Sequence, residues 1–106
     1  ATETLPPGPA PASARLDRGN DYMEKGSYAQ ALAEARAILS RDPNNADARA
    51  LAGDAEAAIL IEDSVKRAKA ALKAGDRDLA MEAIRKGLAV NPSEGRLLAL
   101  HREATQ

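Results

Sequence analysis

Between residues 45 and 74 apolar side chains return every three or four positions, with no proline and a single interior glycine, Gly53. In residues that are nearly all good helix formers, this period predicts one long helix over 46–74. At ~1.5 Å per residue it would extend roughly 42 Å. Flanking segments carry the same period. A first helix is predicted over 14–25, with Ser13 as N-cap, Gly26 as its stop, and Leu16, Gly19, Tyr22 and Met23 on one face. A second starts at the capping box formed by Ser27 and Gln30, runs to about 41, and turns Ala31, Leu32, Ala35, Ile38 and Leu39 inward. Asp42-Pro43-Asn44-Asn45 ends it and caps the long helix. Gly75 closes the long helix, and Asp76 caps a fourth over 77–90 with Ala80, Ala83, Ile84 and Leu88 inward. After the turn at Asn91-Pro92-Ser93, a fifth over 94–103 offers Leu97, Leu98 and Leu100. Such short connections make antiparallel hairpins, one docked on each half of the long helix. No alternating β-branched run occurs, so the fold class is all-α.

The chain repeats itself. At an offset of 49, Gly26 aligns with Gly75, Ala31 with Ala80, Arg36 with Arg85, Leu39 with Leu88, Pro43 with Pro92, Ala50 with Ala99 and Leu51 with Leu100. The caps Ser27 and Asp76 coincide as well, and at an offset of 34 Gly19 aligns with Gly53. Within 12–45, Gly19 and Tyr22, then Gly26 and Tyr28, then Ala31 and Pro43 stand where a tetratricopeptide repeat carries its small residue, aromatics, turn glycine, alanine and closing proline. This stretch resembles that family. Arg15, Arg18 and Ala35 depart from it, standing where the family prefers tryptophan, leucine and an aromatic. Residues 61–92 resemble a second, degenerate unit that keeps Ala68, Gly75, Ala80 and Pro92 without either aromatic. The resemblance implies helical hairpins packed as a right-handed superhelix. About five helices would share the long one, and the helix at 94–104 would cap the array. The runner-up is a plain four- or five-helix bundle without a groove.

Composition narrows the physics. Of 106 residues, 25 are alanine and two, Tyr22 and Tyr28, are aromatic, so helices approach closely and the core consists of many shallow contacts. Residues 1–63 carry 6 basic and 11 acidic side chains, net −5, while 64–106 carry 9 and 5, net +4. That polarity either steers a partner, favours head-to-tail self-association, or is simply two solvated faces. Residues 1–12 hold four prolines between positions 6 and 11 and are read as a disordered tether; Pro6 and Pro9 also fit a PxxP ligand. No apolar run approaches the ~18 residues of a membrane span, so no membrane insertion of this segment is expected. Without cysteine the redox compartment is not indicated, and both a cytoplasmic place and tethering to an anchor outside the segment fit.

Candidate chemistry is sparse, and no enzyme is expected. His101 is the single histidine and has no nucleophile pattern nearby, while Glu62 and Asp63 are adjacent and point apart on a helix. The Asp42–Asp47 stretch lacks the glycine and closing glutamate of a calcium loop, so no metal or cofactor is expected. Lys66, Lys69 and Lys73 line one face with Arg67 and Arg77 close by. No aromatic interleaves them, so they are read as a solvated face and not a nucleic-acid site. The family resemblance supplies the functional expectation: a non-catalytic protein-protein interaction module that holds a peptide or helix in a shallow concave groove. By position, that groove would comprise Leu16, Asn20, Met23 and Glu24, then Asp47, Ala50 and Asp54. The variant that clamps a chaperone's C-terminal tail needs a lysine where Leu16 stands and an asparagine where Leu51 stands, so chaperone tails are not expected. The alternative is a self-association or spacer domain, a homodimer meeting through the apolar run at 57–61, chiefly Ile59, Leu60 and Ile61.

Overall fold

Alanine-rich segments interrupted by two left-handed glycines give a chain made of helices. The computed structural model describes residues 11–106, in five of them: α1 Ala12–Glu24, α2 Tyr28–Leu39, α3 Ala46–Lys73, α4 Arg77–Val90 and α5 Gly95–Ala104, with no strand among the described residues. The fold is all-α. Apart from Pro11 and Ala12, the proline-rich stretch read as a tether lies outside the described residues.

The turns are built alike. Gly26 and Gly75 have φ of 77° and 78°, a conformation that strains any residue with a Cβ. Each lets the following N–H reach back into the helix: Ser27 N donates to Tyr22 O and Asp76 N to Ala71 O, both at 2.8 Å. Asn45 Oδ1 accepts from Ala48 N at 2.9 Å and Asp76 Oδ1 from Leu79 N at 3.0 Å, so α3 and α4 start on side-chain caps as expected. Two other starts differ from expectation. α1 begins at Ala12 with Pro11 as N-cap, its ring fixing φ at −60°, so Ser13 lies inside the first turn. Ser27 occupies the N-cap of α2 without a side-chain hydrogen bond, and the capping box with Gln30 does not form. α2 stops at Leu39, short of the expected Arg41, because Arg41 N turns back to Ile38 O at 3.1 Å in place of the next helical bond.

Two units divide the chain, one reaching to Ala55 and the other Glu56–Gln106. In the first, α1 and α2 form a hairpin whose buried Ala31, Leu32 and Ala35 pack with Leu51 and Ala55 of α3, with Leu16, Tyr22, Met23 and Ala52 alongside. Gly19 is there for space: a Cβ on it would run into Leu51 Cδ2. Gly53, its match at an offset of 34, is exposed and a Cβ there would meet nothing. Arg15 and Arg18, the departures from the family pattern, both reach Glu34 Oε1, at 3.1 and 3.4 Å, and so tie α1 to α2.

In the second unit Ile61, Val65 and Ala68 of α3 pack with Ala83 and Ile84 of α4 and with Leu97, Leu100 and Ala104 of α5. Ile61 therefore faces this core, at 8% exposure, and cannot serve as a self-association residue; Ile59 and Leu60 are 36% and 45% exposed. Of the three leucines that α5 offers, Leu98 is 38% exposed, because the buried stripe of α5 runs through Leu97, Leu100 and Ala104. Gly87 marks the tightest approach. A Cβ there would strike Leu97 Cδ1 and lie 2.9 Å from Ser64 Cβ. The 49-residue register extends into burial: Ala31 and Ala80, Ala35 and Ile84, Ala48 and Leu97, Leu51 and Leu100, Ala55 and Ala104 are all buried pairs.

Candidate functional site

Heptad-like spacing on two segments of the first unit generates a groove. Ser13, Leu16, Asp17 and Asn20 of α1 form one wall, and Asp47, Ala50, Leu51 and Asp54 of α3 the other, around an open volume of about 430 Å³. Each wall uses positions i, i+3, i+4 and i+7, the stripe that one helical face presents. The two stripes are offset from each other by 34 residues throughout. Leu16 and Leu51 supply an apolar floor, because both also touch the core of this unit.

Five of the seven residues nominated from the sequence, Leu16, Asn20, Asp47, Ala50 and Asp54, converge on this groove. Met23 does not; it is half-buried against the core formed with α2. Glu24 is exposed at the last turn of α1, outside the lining. Ser13, Asp17 and Leu51 were not nominated. Leu51 was legible as a repeat position and Asp17 as the i+4 partner of Ser13, but neither carries a distinctive chemistry.

The groove is acidic. Asp17, Asp47 and Asp54 line it with no basic side chain among the lining residues. None of the three has a side-chain ion pair among the described residues. Nearby cations are committed elsewhere: Arg15 and Arg18 to Glu34, and Arg49 Nε to Pro43 O at 3.0 Å.

Moving the groove positions by 49 residues turns an acidic set into a mixed one. Asp17 becomes Lys66, Asn20 becomes Lys69 and Asp47 becomes Arg96, while Ser13 becomes Glu62 and Asp54 becomes Glu103; Glu24, outside the groove, becomes Lys73. Lys69, Leu72, Lys73, Leu100 and Glu103 line a recess of about 330 Å³ there. Arg96 is held by Glu62 at 2.7 Å and Glu94 at 3.2 Å. Its hydrogen bonds to Glu62 first, then Glu94, push its guanidinium pKa up, and the Arg96 side-chain and backbone N–H bonds hold the Glu94 carboxyl below the usual range. By contrast Lys66, Lys69 and Lys73 are exposed and have no ion pair among the described residues.

Glu62 and Asp63 serve different partners, Arg96 and Arg67, as adjacent helix positions must. His101 sits half-buried in the last turn of α5. Among the described residues no three His, Cys, Asp or Glu side chains gather as a metal site, and no helix is long and apolar enough to cross a membrane. No family model matches the chain, and no curated protein matches it.

Proposed function

We propose that the chain is a non-catalytic interaction module of the tetratricopeptide type, binding a peptide or helix in the groove between α1 and the first turns of α3. The superhelical stacking of that class belongs to the same proposal. One observation carries it: Leu16, Asn20, Asp47, Ala50 and Asp54, chosen by position in the repeat, meet in one groove whose walls are 34 residues apart in register. Support also comes from the small Gly19 against Leu51 and the left-handed Gly26, which give the repeat's conserved-type positions physical work. Shallow and open, the groove suits a weak, exchangeable ligand.

Selection of peptides from a random display library on the full chain, followed by backbone amide shift mapping, tests this. Shifts should concentrate at Leu16, Asn20, Asp47, Ala50 and Asp54, and Ala50→Arg should abolish binding while leaving the helical circular dichroism intact. Peptides that instead perturb residues of α4 and α5, and that bind Ala50→Arg unchanged, would refute the assignment. A second reading, self-association, is favoured by the exposed Lys66, Lys69 and Lys73 of the second unit, whose charge complements the acidic groove.

A further inference from the structure

Two rows on α3, one in each unit, carry opposite charge at the same pitch. On α3 of the first unit, Asp47 and Asp54 are seven residues apart with Ala50 at the third position between them. On α3 of the second unit, Lys66 and Lys73 are seven residues apart with Lys69 at the third. At ~1.5 Å rise per residue both rows span about 10.5 Å, so a lysine row laid along the groove meets an aspartate at each end. Asp17 on the opposite wall offers a third carboxylate, where Lys69 would lie. Each row is exposed and lacks an ion pair within its own chain among the described residues.

We infer that the acidic groove of the first unit receives the Lys66–Lys69–Lys73 row of a second copy of this chain. This rests on the groove reading above and names its occupant. Both partners are exposed and charged, so the attraction is weak at high salt and strong at low salt, where screening lengths reach tens of ångströms. One groove and one row per chain permit either a closed pair with two reciprocal contacts or head-to-tail growth. Solution mass distinguishes these, and both are self-association through this contact.

The test is sedimentation of the full chain, up to millimolar concentration, at low (~0.01 M) and high (~1 M) ionic strength. Mass above the monomer at low salt should fall to the monomer at high salt. Two charge reversals decide the contact. Asp47→Lys with Asp54→Lys, and separately Lys66→Glu with Lys73→Glu, should each weaken self-association by about a hundredfold or more, since like charges then face each other. Mixed one to one, the two variants should form a heterodimer, because one still has its lysine row and the other its groove. The mixture also guards against misfolding, since an unfolded variant would not complement. A monomer at every salt overturns the inference and leaves the groove free for another chain's peptide, which the display experiment reads independently. Assembly that survives both reversals and ~1 M salt but disappears in Leu60→Lys also overturns it, moving the seam to Ile59 and Leu60.

Discussion

The same substitution, glycine to alanine inside a helix, should have opposite effects at Gly87 and Gly53. In an unobstructed helix interior alanine is favoured by about 1 kcal/mol, through lower backbone entropy in the unfolded chain. Gly53 is such a place, exposed on α3 with nothing within 4 Å of a new Cβ. Gly53→Ala should therefore stabilise by about 1 kcal/mol. At Gly87 the new methyl meets Leu97 Cδ1, Ser64 Cβ at 2.9 Å and Ser64 Oγ at 3.2 Å, well inside the ~3.5–4.0 Å carbon optimum. Leu97 is fully buried, so its Cδ1 can turn aside only into packed surroundings, and Ser64 Cβ is fixed to the backbone of α3 and cannot yield without moving a helix. Overpacking of this kind costs about 1–3 kcal/mol. With two obstacles the upper part of that range applies, and after the helix-propensity gain a net loss of about 1–2 kcal/mol remains. Urea denaturation followed by far-UV circular dichroism measures both variants. A Gly87→Ala chain as stable as the wild type would refute the close approach of α3, α4 and α5 on which the description of the second unit depends.

Other perturbations follow from the same core and its polar edge. Ser64 is 3% exposed and its hydroxyl has no protein partner among the described residues, so Ser64→Ala should stabilise by about 1 kcal/mol in the same denaturation assay. A loss of stability there would mean that the hydroxyl is satisfied. The hydrogen bonds from Arg96 hold the folded Glu94 carboxyl below the usual carboxylate range, so between its folded and unfolded values the folded chain binds fewer protons than the unfolded chain. Its contribution is complete above the unfolded value and is lost as pH falls through the depressed folded value. Glu94→Gln should accordingly melt lower than the wild type at neutral pH, and the difference should shrink in strongly acidic buffer. A difference that stays constant with pH would contradict the Glu94–Arg96 linkage.

Elements were the most legible part of the sequence, and the reason is local. Gly26, Gly75 and Asp76 act through their own backbone or the next turn, so a one-dimensional reading finds them. Ser13 and Ser27 misled because capping preference competes with what precedes the helix: Pro11 fixes the entry to α1, and α2 starts without a side-chain bond. Gly19 and Gly53 look alike in the sequence, yet one has Leu51 over it and the other has solvent, a difference made by tertiary packing alone. Ile61 reads as the end of an apolar run, but helical rotation sends it to the core while Ile59 and Leu60 stay outside. For the groove, repeat position located five lining residues. Its sign of charge was visible only as a half-chain imbalance until the structure set Asp17 and Asp47 on facing walls.

The 49-residue register has one more consequence, for growth of the molecule by duplication. Ala55 and Ala104 are equivalent and both buried. After Ala55 the helix continues through Glu56, whereas after Ala104 it stops at Thr105, whose hydroxyl donates to the carbonyls of His101 and Arg102. A chain in which residues 56–104 are repeated in frame after Ala104 would set glutamate in place of Thr105 and remove its hydroxyl bonds, while keeping the 49-residue register of buried positions. Helical circular dichroism of that longer chain, read against the present one, shows whether the added 49 residues fold as helix.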